Sequence, residues 1–287
     1  MKPSVDIKLI ECPRDAMQGF ERIIPTAEKV SYIASLLKVG FDTLDMGSFV
    51  SPKAIPQMAD TADVFRQLST ETSSSERLVI VANERGAREA LTFSSIDYVG
   101  FPFSVSETFQ QRNTNAGREQ AYATVATLQE LCAAAQRKLV VYLSMAFGNP
   151  YGDMYHADEV LEWAHRLKPL GISIFSLADT VGMATPDQVY ELTAAFIKEF
   201  MGVKTGLHLH ASPTGWKEKV EAGLQAGCIR FDAALGGVGG CPMATDRLVS
   251  NLNMEQLVQW LDQKGYSTGI DKAQLQICSQ QAKQLFA

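Results

Sequence analysis

The feature that most constrains this chain is an alternation of short apolar runs with longer amphipathic stretches, repeated eight times. The runs are VDIKLIEC (5–12), FDTLDMGSF (41–49), RLVIVAN (77–83), IDYVGFPF (96–103), KLVVYLSMAF (138–147), GISIFSLAD (171–179), GLHLHA (206–211) and IRFDAAL (229–235). Each is brief, rich in β-branched or aromatic residues, and bounded by Gly, Pro, Asp or Asn, as strands are. Between them, TAEKVSYIASLLKV (26–39) puts Val30, Ile33, Leu36 and Leu37 on one helical face, with Pro25 and Thr26 as start signals. Stretches 118–138, 157–171, 185–200 and 215–227 read the same way. Eight strand–helix units in about 250 residues predict a (β/α)8 TIM barrel. The expected organisation is one domain over 1–287, with the barrel at about 5–265 and a trailing helical segment at about 266–287.

A barrel of this kind carries its active site at the C-terminal ends of the strands. The polar groups expected there are Arg14 and Asp15 after the first strand, and Asp45 and Ser48 on the second. Asp179 ends the sixth strand, His208 and His210 the seventh, and a glycine-rich loop holding Cys241 follows the eighth. Residues i and i+2 of a strand share a face, so His208 and His210 project together. Imidazole nitrogens ligate divalent ions, but two ligands make a poor site, and a pair on a strand also reads as hydrogen-bonded core. Asp15 could add a carboxylate oxygen and Asn251 a carbonyl oxygen. Two nitrogens and two oxygens, with positions left for substrate, suit octahedral Mg²⁺ or Mn²⁺ better than tetrahedral zinc.

LGGVGGCPMATD (235–246) reads equally as a mobile lid or a phosphate cradle. Cys241 there is either a proton carrier or an idle thiol. Glu11 and Asp45 either face the mouth or pair with cations inside the barrel. SPKAIPQM (51–58) is a stiff loop that positions Lys53 and Gln57, with Lys53 solvated unless a charged cofactor passes. His165 reads as a surface residue of a helix, and His156 lies in a loop above the fifth strand. The net charge of −6 argues against nucleic-acid binding, which wants clustered Lys and Arg. Five scattered cysteines without a CxxC pair, and no apolar run of signal-peptide or membrane-spanning type, point to a reduced, cytoplasmic protein.

The order PRDAMQ (13–18), SFVSPKAIPQMAD (48–60), ADTVGMATP (178–186), HLH (208–210) and LGGVGGCP (235–242) resembles the 3-hydroxy-3-methylglutaryl-CoA lyase family of metal-dependent lyase and aldolase barrels, over roughly residues 5–265. The resemblance implies that Asp15, His208, His210 and Asn251 hold the metal, and that Arg14 polarises a thioester carbonyl. It makes Cys241 the cysteine of a catalytic lid and puts Asp179 near the substrate hydroxyl. His208, Asp45 and Glu255, which follows Asn251 by four residues, are counted with the catalytic groups. Gln18 and Ser48 match polar residues lining the site and, with Lys53, form the expected cofactor-binding set.

Four departures stand out. Glu11 is one residue closer to the Arg-Asp pair than the family's glutamate, and Asp45 replaces a glutamate. Ala211 stands where an aspartate could orient a metal-bound imidazole, and the loop from Cys241 to Asn251 is one residue longer. The expected reaction is retro-Claisen cleavage of 3-hydroxy-3-methylglutaryl-CoA to acetoacetate and acetyl-CoA. The alternatives are a related lyase or Claisen-type enzyme on another 3-hydroxyacyl-CoA, and a silent barrel that binds CoA esters. Expected partners are the acyl-CoA substrate and a second copy in a homodimer, with neither nucleic acid nor membrane.

Overall fold

The computed structural model describes residues 5–240 and 250–287. Eight parallel strands run in chain order: β1 (Lys8–Glu11), β2 (Thr43–Ser48), β3 (Glu76–Ile80), β4 (Tyr98–Ser104), β5 (Lys138–Ser144), β6 (Ile174–Asp179), β7 (Lys204–Ala211) and β8 (Arg230–Ala233). β8 pairs back onto β1, from Lys8↔Arg230 to Glu11↔Ala233, and this closes the sheet into the expected (β/α)8 barrel.

The connections carry α1 (Pro13–Gln18), α2 (Thr26–Leu36), α3 (Thr61–Gln67), α4 (Glu84–Ala90), α5 (Glu107–Thr114), α6 (Arg118–Ala134), α7 (Ala157–Leu167), α8 (Pro186–Glu199) and α9 (Trp216–Gln225). After the eighth strand come β9 (Ser250–Asn251), α10 (Met254–Gln263) and α11 (Lys272–Leu285). The helical stretches read from the pattern all form, each ending one to four residues early. α1, α3, α4, α5 and α10 have no counterpart in that reading; the first three, of six or seven residues, are too short to display a 3.6-residue period. α11 is the expected trailing helix. Asp271 caps it by accepting from the Ala273 and Gln274 N–H groups, and Phe286 beyond it meets Phe20 and Tyr32 edge-on at 5.7 and 6.1 Å. Among the described residues no helix is long and apolar enough to cross a membrane.

Alternation along the strands divides the core in two. Outward side chains meet the helices in one large apolar layer. Inward, Leu78, Ile80, Tyr98, Val140, Tyr142 and Ile174 plug the lumen. Toward the C-terminal ends the lining changes character: Asp232 of β8 and His208 and His210 of β7 replace the aliphatics, with Arg230 beneath them at the start of β8. Buried charge there must be paired to be tolerated.

Candidate metal centre and its surroundings

α1 starts directly after β1, with Pro13 at its first position, where its missing N–H costs no helical bond. Arg14 and Asp15 are thereby fixed in a buried first turn at the rim. The Arg14 Nε donates to both Asp45 carboxylate oxygens, at 3.2 and 3.1 Å, and its Nη2 also donates to Asp45. Its Nη1 reaches Asp15 Oδ1 at 3.0 Å and Gln18 Oε1 at 2.9 Å. Burial pushes the Asp45 carboxyl up to about 6 against the pull of this guanidinium. Asp15 is held below the usual carboxylate range: burial opposes its charge, but Arg14, His208 and His210 together outweigh that penalty.

The two histidines point to one place. Their Nε2 atoms are 3.2 Å apart, and single ligand atoms of Asp15, His208 and His210 all lie within 4.8 Å of one another. The other nitrogens are spoken for. His210 Nδ1 lies 2.9 Å from the Thr180 carbonyl, which can only accept, so this nitrogen carries the proton. His208 Nδ1 lies 3.1 Å from Asp232 Oδ2. Burial works against charge on both rings; at His208 the Asp232 carboxylate outweighs it and raises the pKa, while at His210 burial and the neighbouring His208 lower it. Two neutral rings so tied present two lone pairs to each other, so either a proton or a cation must lie between them. Nitrogens about 2.1 Å from one ion, on adjacent octahedral vertices, stand about 3 Å apart, close to the spacing seen here. The donor set therefore fits a divalent metal.

Asn251 joins this cluster by strand pairing. β9 runs antiparallel to the end of β7, with His210↔Asn251 and Ala211↔Ser250 as partners. The Asn251 Nδ2 donates to Asp15 Oδ2 at 2.6 Å and to the Val238 carbonyl at 3.0 Å. Gln18 Nε2 donates to Asp15 Oδ1 at 2.6 Å. Arg14, Asp15, Gln18, Asp45, His208, His210 and Asn251 are thus one connected cluster.

The remaining candidates lie elsewhere in the bonding pattern. Asp179 accepts from Lys219 Nζ at 2.7 Å and from the Ala184 N–H at 3.1 Å. Ser48 Oγ donates to the Ile80 carbonyl. Lys53 is exposed, its backbone N–H donating to Ser51 Oγ. Gln57 is buried and pins the stretch before α2 through Phe20, Arg22 and Ile24. Glu255 accepts from the Gly236 N–H and from Ser279 Oγ, joining the glycine-rich loop to α11. Glu11 does not face the mouth, and among the described residues it meets no cation: it accepts from the Leu235 N–H, near Tyr32 of the outer layer, and burial raises its pKa. Cys241 lies outside the described residues.

Four participants escaped the sequence reading. Asp232 and Thr180 orient the imidazoles, the role Ala211 cannot fill. Lys219 ties Asp179 to the Gly182 and His210 carbonyls. Cys12 lies against His208 and Asp232, its thiol held neutral by burial and by the surrounding carboxylates. One signal was available: Arg230 and Asp232 are charges two apart in an otherwise apolar strand, both on its inward face.

A family model described as HMGL-like matches residues 7–281. The chain is 31% identical to the mitochondrial hydroxymethylglutaryl-CoA lyase of Mus musculus over 270 residues, covering 94% of this chain and 82% of that protein. It is 31% identical to the hydroxymethylglutaryl-CoA lyase YngG of Bacillus subtilis over 258 residues, covering 90% and 85%. Among solved structures, an HMG-CoA lyase from Acinetobacter baumannii in complex with coenzyme A and 3-methylmalate superposes with a TM-score of 0.91, at 30% identity, covering 98% of this chain and 91% of that one.

Proposed function

The chain belongs to the HMGL-like family of carbon–carbon lyases, and on that premise we propose that it cleaves 3-hydroxy-3-methylglutaryl-CoA to acetoacetate and acetyl-CoA. The observation that carries the metal dependence is the pair of Nε2 atoms facing each other at 3.2 Å with both Nδ1 atoms engaged. Asp15, His208, His210 and Asn251 would hold Mg²⁺ or Mn²⁺, with Asn251 turning its carbonyl oxygen inward. The bound cation supplies a Lewis acid that lowers the pKa of the substrate's tertiary hydroxyl.

This chain's own groups do the rest. Of the base candidates, His208 has one nitrogen on Asp232 and would give the other to the cation. Asp179 is taken up by Lys219 and the Ala184 N–H on the outer side of β6, in register with Leu209, which leaves the Cys241 thiolate to take the hydroxyl proton. As the C–C bond breaks, its electron pair passes to the thioester enolate, which faces the Arg14 guanidinium. Arg14 is held rigidly by Asp45 and so stabilises that charge without reorganising. Cys241 returns a proton to the enolate carbon to complete acetyl-CoA. A silent CoA-ester barrel has no use for a buried arginine clamped beside three converging ligands.

A coupled acetoacetate assay on metal-free protein tests this. Turnover is expected to return with Mg²⁺ or Mn²⁺ and to vanish in His208→Ala; thioester binding without turnover would leave only a silent barrel. Products from related 3-hydroxyacyl-CoA esters decide the acyl chain. Metal also binds only the folded state, so Mn²⁺ at 100 times its Kd should stabilise the protein by about 2.7 kcal/mol, read as a rise in Tm. The four described cysteines are buried and free, which supports a cytoplasmic location. The homodimer belongs to the same reading and is checked by light scattering.

A further inference from the structure

We propose that Arg230, in the barrel lumen, is the positioning residue for His208 and acts through Asp232. The inference rests on the metal reading above. Arg230 Nη1 lies 3.4 Å from Asp232 Oδ1, and Asp232 Oδ2 lies 3.1 Å from His208 Nδ1. The Asp232 side chain is fully buried and that of Arg230 nearly so. A carboxylate in such a place keeps its charge and its orientation only if a cation is fixed beside it. Arg230 takes one oxygen, which leaves the other aimed at the imidazole.

The neighbouring strand makes room for this arrangement. Gly206 lies two residues before His208 on the same face of β7, and a Cβ there would meet Arg230 Nη1 at 2.6 Å, Cδ at 3.2 Å and Cγ at 3.3 Å. Glycine inside a strand weakens it and marks a close approach, here of the arginine stem. β7 thus gives up a side chain where Arg230 must pass. With Ala211 unable to supply a carboxylate, the orientation of His208 depends on this route from inside the barrel.

The test uses two readings on purified full-length protein: Mn²⁺ affinity by paramagnetic resonance, and the His208 tautomer in the metal-free protein by ¹⁵N NMR. Arg230→Met is expected to weaken Mn²⁺ binding about 10-fold, the lower end of what loss of a ligand's outer support costs, and to erode the Nδ1–H tautomer. Arg230→Lys should recover most of both. Gly206→Ala, which removes no charge but displaces the guanidinium, should mimic Arg230→Met and stands in for it if that variant fails to fold. Mn²⁺ affinity within about twofold of the parent, with an unchanged tautomer, overturns the proposal. If the parent itself binds no Mn²⁺, the metal reading falls, and the tautomer alone decides the role of Arg230.

Discussion

Asp15→Asn is expected to cost more in divalent-metal affinity than the roughly 10–100-fold lost when a ligand's supporting hydrogen bond is removed, and turnover should fall with it. The substitution keeps size and shape, so the packing of α1 survives. What changes is charge and donor direction. Asp15 accepts from Arg14, Gln18 and Asn251 while lying within reach of both imidazoles. An amide there must turn an NH2 either toward those donors or toward the cation, and neither is tolerated. Calorimetric titration with Mn²⁺ and an unchanged metal-free Tm would together confirm the loss as local. Parent-like Mn²⁺ affinity in Asp15→Asn would remove Asp15 from the ligand set.

Arg14→Lys should show the opposite signature: metal affinity close to that of the parent, and turnover lower by about 10²–10³-fold, the loss that follows removal of one oxyanion donor. Lysine keeps the positive charge, so Asp45 is not left buried without a cation, a situation that would cost about 3–5 kcal/mol in stability. It cannot keep the geometry. Arg14 spreads three nitrogens over Asp45, Asp15 and Gln18, whereas an ammonium is a point charge that cannot span that fork. The measurement is kcat for the thioester beside the Mn²⁺ dissociation constant of the same sample. Parallel loss of both would mean that Arg14 serves the metal and not the enolate.

Much of the fold was legible because barrel strands and helices write their periods locally. VDIKLIEC and GLHLHA read as strands from a handful of residues, and eight such runs limit the closed arrangements available. α1 was not legible as a helix, although PRDAMQ was the strongest local motif, since six residues carry a motif but no periodicity. Among the site residues, those that share a strand or a turn were found together: His208 with His210, and Arg14 with Asp15. Glu11 was misplaced because the sequence does not say where β1 ends and α1 begins, and a shift of one residue reverses the face.

By itself, then, the sequence determined the barrel, the mouth at which its polar residues gather, and the motifs that mark the family. Only the tertiary structure decided what holds the imidazoles. Asn251 reaches His210 through an antiparallel pair between segments 41 positions apart. Thr180 contributes a backbone carbonyl, which no residue type announces. Asp232 meets His208 because β7 and β8 align in that register, and Arg230 fits beside Asp232 because Gly206 leaves the space. Patterns of two and 3.6 residues are properties of one segment. Register, carbonyl direction and the room beside a strand arise only when the segments close on each other, so the candidate ligands could be named from the chain while their supports could not.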